Sequence, residues 1–138
     1  EMKNGLDGSG LTILDCPPGS SCAVVNSIQG TDYALLVTEP TNFGLHDLKI
    51  AVQLISKLKI PGGVVINRSG EDDVLIEKYC STEGIPLLGK IPFEREIAEI
   101  YSRGGLLVDY PKYRQYFKEI AQKLGGVIND ETACDNQR

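Results

Sequence analysis

Leu11-Thr12-Ile13-Leu14-Asp15-Cys16-Pro17-Pro18-Gly19-Ser20-Ser21-Cys22 is a short apolar run that ends in a carboxylate and breaks at Pro-Pro-Gly. An apolar run of this length between polar flanks predicts a buried strand over Leu11–Asp15. Asp15 then stands at the strand's carboxyl end, where open α/β sheets place their ligands. The prolines fix φ and Gly19 frees it, so the backbone turns sharply after the carboxylate. Two readings stay open at this point. Asp15 can hold Mg²⁺ or its waters while backbone N–H groups near Gly19 face an anion. Alternatively the stretch is only a strand, a turn and a helix with a capping Asp.

Outward from this stretch, apolar runs alternate with amphipathic ones. Cys22–Gly30 reads as a short helix closed by glycine, with Ser20 or Ser21 as its cap. Tyr33–Thr38 is a continuous apolar run of strand length, and its lack of alternation predicts cover on both faces. After the Glu39-Pro40-Thr41-Asn42 loop, Leu45, Leu48, Ala51, Val52, Ile55 and Leu58 step by three and four along one helix face. Pro61-Gly62-Gly63 stops that helix, and Val64-Val65-Ile66 makes a third strand ending at Asn67-Arg68. A helix from Asp72 or Asp73 to Glu83 and a strand between Pro86 and Pro92 follow. Beyond them lie a helix over Glu94–Ser102, a short apolar crossing at Leu106–Val108, and a last helix from Pro111 to Leu124. Residues 1–10 read as a polar lead-in, and residues 125–138 as a mobile tail. Strand–helix alternation predicts an α/β fold with a parallel sheet of about four to five strands and helices on both faces.

The 138 residues suit one domain, and the formal charge of −5 argues against a general nucleic-acid or anionic-membrane surface. No apolar run reaches transmembrane length, and the first residues lack a signal-peptide layout. Four cysteines, at 16, 22, 80 and 134, form no Cys-x-x-Cys, which suits a reducing cytoplasm.

Asp15, Glu39, Asn67 and Pro92 each fall at or just beyond the carboxyl end of a predicted strand, so topology alone points all four at one crevice. A carboxamide such as Asn67 carries both the donor and the acceptor needed to read a purine edge. Arg68 offers a planar cation to lie on a ring, although a turn Asn and a surface Arg are the simpler reading of the pair on these residues alone. His46, the single histidine, starts a helix and has no nucleophile placed to use it. Cys16 and Cys22 flank the Pro-Pro-Gly turn and form a weak metal pair, with buried thiols as the simpler reading. Lys112, Arg114, Lys118 and Lys123 mark one side of the last helix. With Glu119 among them and an apolar stripe of Tyr113, Tyr116, Phe117, Ile120 and Leu124 opposite, that helix reads as packed on the sheet rather than lying on a membrane.

Together, Leu14-Asp15-Cys16-Pro17-Pro18-Gly19, Leu36-Val37-Thr38-Glu39-Pro40-Thr41, Val65-Ile66-Asn67-Arg68 and Ile91-Pro92-Phe93 resemble the MinD/Mrp/ParA group of P-loop ATPases. The run Glu39–Lys49 resembles the branch with an inserted ferredoxin domain. The resemblance covers residues 11–124 and implies a partial P-loop NTPase fold of the SIMIBI type. It implies that Asp15 is the Walker B aspartate acting on Mg²⁺ through water, and that Pro17, Pro18 and Gly19 form the switch II turn that senses the γ-phosphate. It further implies that Asn67, with Arg68 beside it, reads adenine, that Pro92 and Phe93 close over the base, and that Thr38, Glu39 and Pro40 form the strand end near the nucleotide.

The sequence departs from the family in one decisive respect. It contains no Gly-x-x-x-x-Gly-Lys-[Ser/Thr], the loop that supplies the amide cradle, the lysine and the Mg²⁺-binding hydroxyl. The ferredoxin insert is missing as well. The expectation is therefore the C-terminal half of a longer ATPase, using ATP and Mg²⁺ in the full-length protein, inactive alone and holding neither tightly. Its expected partners are its own N-terminal P-loop half, a second copy in a homodimer, and a redox or iron–sulfur protein, with no membrane and no nucleic acid. The rival readings are an interaction module that has lost the loop, a cysteine-based metal or cluster carrier, and an amidotransferase-like synthase of the same superfamily. Without the P-loop strand, the strands at 11–15 and 33–38 are expected either to pair directly or to be covered by a second copy.

Overall fold

The computed structural model of the chain describes residues 11–17, 19 and 22–135, with side chains as far as Gly126. Residues 1–10, Pro18, Ser20, Ser21 and 136–138 lie outside the described residues, and with them the expected lead-in, one residue of the switch turn and the two candidate helix caps.

The sheet has three parallel strands in the order β1 (Ala34–Thr38), β2 (Gly62–Ser69), β3 (Leu87–Pro92). Each is joined to the next by a helix, as parallel neighbours require. Helix α1 (Cys22–Ile28) precedes β1, α2 (Asn42–Lys57) links β1 to β2, and α3 (Val74–Glu83) links β2 to β3 after a 3-10 turn at Glu71–Asp73. Helix α4 (Arg95–Ser102), a 3-10 turn at Leu107–Asp109 and α5 (Pro111–Asp135) complete the chain.

Two apolar layers sandwich the sheet, so helices stand on both faces as expected. On one side Leu48 and Val52 of α2 and Ile76 and Cys80 of α3 pack on Val64 and Ile66. On the other, Ile120 of α5 packs on Val65 and Leu88. Successive residues of β2 serve opposite layers, which is why Val64, Val65 and Ile66 are all at most 2% exposed. Gly89 permits the close approach of α5: a Cβ there would overlap Cγ1 of Ile120. A third cluster, Ile100, Leu107 and Tyr113, ties α4 to the start of α5.

Four expectations are corrected. Residues 11–17 form no strand; Leu11, Ile13 and Leu14 are exposed, and Asp15 lies within a segment without regular structure. A strand needs a neighbour to satisfy its backbone, and among the described residues β1 pairs only with β2. Direct pairing of 11–15 with β1 is therefore not found, and the sheet has three strands instead of four or five. Second, β1 is not covered on both faces. Leu35 and Val37 are 42% and 62% exposed because α5 spreads over β2 and β3 and leaves their side of β1 open. Third, the stretch read as a short apolar crossing, Leu106–Val108, caps and forms most of the 3-10 turn Leu107–Asp109. Fourth, the last helix does not stop at Leu124. It runs through Gly125-Gly126 to Asp135, since mid-helix glycine costs only about 1 kcal/mol per residue.

Candidate functional site

Three loops leave the carboxyl edge of the sheet, one from each strand. After β1 the chain folds back tightly. The buried hydroxyl of Thr38 donates to the carbonyl of Gly44 at 3.0 Å, and Thr41 caps α2 by accepting the Gly44 N–H at 2.9 Å. Any side chain at Gly44 would run into the carbonyl of Glu39. Thr38, Glu39 and Pro40 are thus held in a fixed turn with the Glu39 carboxylate at the edge.

The second loop leaves β2. Regular pairing with β3 is interrupted between Ile66 and Ser69, and within this irregularity Arg68 adopts φ +56°. A left-handed residue inside a strand redirects its side chain. The Arg68 guanidinium reaches Glu39, with Nη1 3.5 Å from Oε2, and lies 4.5 Å from the centroid of the Phe93 ring. Asn67, half-buried, precedes it on the strand.

The third loop leaves β3 at Pro92, which sits opposite Ser69, and the Phe93 N–H donates to the Ser69 carbonyl at 3.0 Å. The ring itself is 64% exposed. The structure therefore gathers Glu39, Arg68 and Phe93 into one group, flanked on the same edge by Thr38, Pro40, Asn67 and Pro92.

Asp15, Pro17 and Gly19 are not part of that group. Asp15 and Pro17 are exposed, and among the described residues Asp15 makes no hydrogen bond or ion pair with the edge. Gly19 has φ +104°, the turn conformation expected of it, and Pro18 lies outside the described residues. Cys16 and Cys22 are free thiols, Cys22 exposed. Among the described residues no group of three or more His, Cys, Asp or Glu side chains could hold a metal ion. An exposed ring, a planar cation on its face and a carboxamide one residue away offer stacking and edge recognition together, the functional groups that a flat heteroaromatic ring calls for. The phosphates do not find an equivalent cradle among these residues.

Two polar clusters beside the edge escaped the sequence reading. Asp73 is 6% exposed and receives hydrogen bonds from Ser69 Oγ at 2.6 Å and the Gly70 N–H at 2.9 Å, with Lys90 Nζ 2.9 Å away. Burial pushes its carboxyl up, but the bonds from Ser69, Gly70 and Lys90 outweigh that and hold it below the ordinary value. Lys90 also pairs with Glu77, and these two carboxylates raise its own pKa. The second cluster joins Lys112 and Tyr113 of α5 to Glu94 and Glu96 at the start of α4. Lys112 and Tyr113 were visible only as a charged position and a core position, because their partners lie on another element.

Two hollows, of about 230 and 380 Å³, lie elsewhere: one between α2 and α3, lined by Lys49, Gln53, Tyr79 and Glu83, and one at the amino end of the sheet around Pro61 and Pro86. Neither includes a residue of the carboxyl-edge group.

No family model matches the chain. It is 37% identical over 111 residues to an uncharacterized protein of Methanocaldococcus jannaschii, covering 80% of this chain and 38% of that one. It is 35% identical over 130 residues to an iron–sulfur cluster carrier protein of Pyrococcus abyssi, covering 81% and 44%. Among solved structures it superposes on the Pyrococcus furiosus cell division ATPase MinD with a TM-score of 0.68 and 28% identity, covering 82% of this chain and 50% of that one. The chain thus spans less than half the length of both sequence relatives. The three-stranded sheet with its helices on both faces has the MinD/ParA/Mrp-type P-loop ATPase fold, in its C-terminal-like region.

Proposed function

We propose that this chain is the C-terminal part of a MinD-like ATP-binding protein and supplies the base end of its nucleotide site. The observation that carries the reading is the Glu39–Arg68–Phe93 group beside Asn67 at the carboxyl edge of the sheet. In this reading Asn67 reads the adenine edge, Phe93 with Pro92 closes over the ring, and Thr38, Glu39 and Pro40 form the strand end near the nucleotide. Asp15 acts on Mg²⁺ through water, and Pro17, Pro18 and Gly19 form the γ-phosphate turn. Mg²⁺, when bound with ATP, supplies charge neutralisation at the phosphates. The amide cradle and its lysine come from a preceding half that also completes the sheet at β1. The parent protein works in the cytoplasm as a homodimer, and its hydrolysis cycle drives a redox or iron–sulfur partner. The likeness to iron–sulfur cluster carrier proteins supports that last element.

Residues 1–138 alone do not hydrolyse ATP and bind it weakly. Titration with ATP·Mg²⁺, followed by NMR and by calorimetry, tests this. At millimolar nucleotide the resonances of Asn67, Arg68 and Phe93 shift while calorimetry records no micromolar event. Micromolar binding would overturn the half-site reading, and unmoved edge resonances at saturating nucleotide would overturn the base-end assignment.

A further inference from the structure

Phe93 is a large apolar ring presented to solvent on a connection between a strand and a helix, so something outside that connection must hold it. Its backbone is tied on one side to Ser69. On the other side stands Glu94, the cap residue just before α4. A side-chain oxygen within reach of that position can accept from the free N–H groups of the first helical turn. Glu94 makes no such cap. Its carboxylate turns instead to α5, where Lys112 Nζ and the Tyr113 hydroxyl approach Oε2 at 2.5 and 2.8 Å. Glu96 joins the same pair, with its Oε2 at 2.9 Å from Lys112 Nζ and 2.7 Å from the Tyr113 hydroxyl. A single phenolic proton serves two carboxylates, and the lysine supplies the remaining donors.

This cluster has a rigid base. Tyr113 is 1% exposed and packs with Ile100 and Leu107, while Ile120, two turns further along α5, lies against Gly89 of β3. Helix α5 is therefore a strut anchored on the sheet whose first turn reaches back to the connection that carries Phe93. Half-exposed ion pairs add little to stability, so what the cluster contributes is geometry.

Resting on the base-end reading above, we propose that Lys112 is a positioning residue: through Glu94, Glu96 and Tyr113 it holds Phe93 where its ring faces Arg68 and where a flat aromatic ligand such as a purine would meet it. Lys112 does not touch Arg68 and acts only through the two glutamates and Tyr113. The groups facing those carboxylates are Lys112 and Tyr113 of α5 and, for Glu94, its neighbour Glu96. Contacts with Lys112 and Tyr113 hold both glutamates below their ordinary pKa.

The through-space NMR contact between the Phe93 ring and the Arg68 side chain in residues 1–138 tests the proposal without any nucleotide. Lys112→Met keeps the aliphatic stem and removes the charge. The expected result is loss of the Arg68–Phe93 cross-peak with the rest of the spectrum still dispersed, and its return in Lys112→Arg. In the wild-type chain the cross-peak fades as acid protonates the two glutamates, and in Lys112→Met that pH dependence is gone. Should Lys112→Met fail to fold, Glu94→Gln gives the same readout and is expected to weaken the cross-peak. A wild-type cross-peak with a wild-type pH profile in either folded variant would overturn the proposal. Failure of purine binding would leave this result untouched and would count only against the base-end reading.

Discussion

The guanidinium of Arg68 lies over the ring of Phe93, 4.5 Å from its centroid, and it does so from a left-handed backbone at φ +56°. Any Cβ in that conformation costs about 1–2 kcal/mol, so the side chain stays at the expense of its backbone. Glu39, 3.5 Å from Nη1, is the second tether. One residue thereby joins the loops that follow β1, β2 and β3.

Replacing Arg68 separates the two contributions. Arg68→Ala keeps the backbone strain and loses the cation–π contact, worth about 0.5–1 kcal/mol at an exposed site. Arg68→Gly loses the same contact but removes the strain. Urea unfolding should find Arg68→Gly more stable than Arg68→Ala by about 1 kcal/mol. Equal stabilities would show that φ at this position relaxes freely.

Gly89 is the point at which α5 meets the sheet, with no room for a methyl group against Ile120. Gly89→Ala should lower stability by about 1–3 kcal/mol through overpacking. Adding Ile120→Val should return part of that loss, a coupling that a double-mutant cycle in urea measures directly. Additive single effects would place the clash elsewhere.

Asp73 links the end of β2 to α3 and, through Lys90, to β3. Its carboxyl pKa is lower in the folded chain than in the unfolded one, so its stabilising effect is complete above the ordinary Asp value. That effect is lost as pH falls through the lowered folded value. Asp73→Asn keeps the shape and removes this titration. The stability difference between wild type and Asp73→Asn should therefore be largest near neutral pH and shrink in acid; a difference independent of pH would contradict the assignment.

Tyr113 should titrate late for a phenol. Burial raises its pKa first, the adjacent Glu96 and Glu94 raise it further, and it is pushed up to about 12. Ultraviolet titration should show one tyrosinate appearing near that value, absent in Tyr113→Phe. Because the folded pKa lies above the unfolded one, the neutral phenol stabilises the fold below the ordinary Tyr value. That contribution disappears as pH rises through the folded value.

Much of this architecture was legible because strands β1, β2 and β3 are apolar runs bounded by Pro and Gly, and α2 repeats its apolar residues at helical spacing. The convergence of Glu39, Asn67 and Pro92 followed from parallel topology alone. Leu11–Asp15 misled because its composition suits a strand, while pairing depends on a neighbour that local sequence does not describe. Val37 misled for the same reason: whether it is covered depends on where α5 crosses the sheet, which Gly89 and Ile120 decide. The ring under Arg68 and the carboxylates around Lys112 belong to distant segments, so neither residue type nor spacing announces them. Gly125-Gly126 reads locally as a helix end, yet α5 continues to Asp135.

The uncovered flank of β1 has a practical meaning for anyone handling this chain. Among the described residues its outer backbone groups face no strand, and Leu35 and Val37 lie open beside them. Such an edge is a template that zips onto extended polypeptide by main-chain hydrogen bonds, with little regard for side-chain identity. Pairing of this kind is bimolecular, so it grows with concentration. A lysine at Val37, an exposed position of the strand, is the smallest change that would blunt the template while leaving the carboxyl-edge loops as they are.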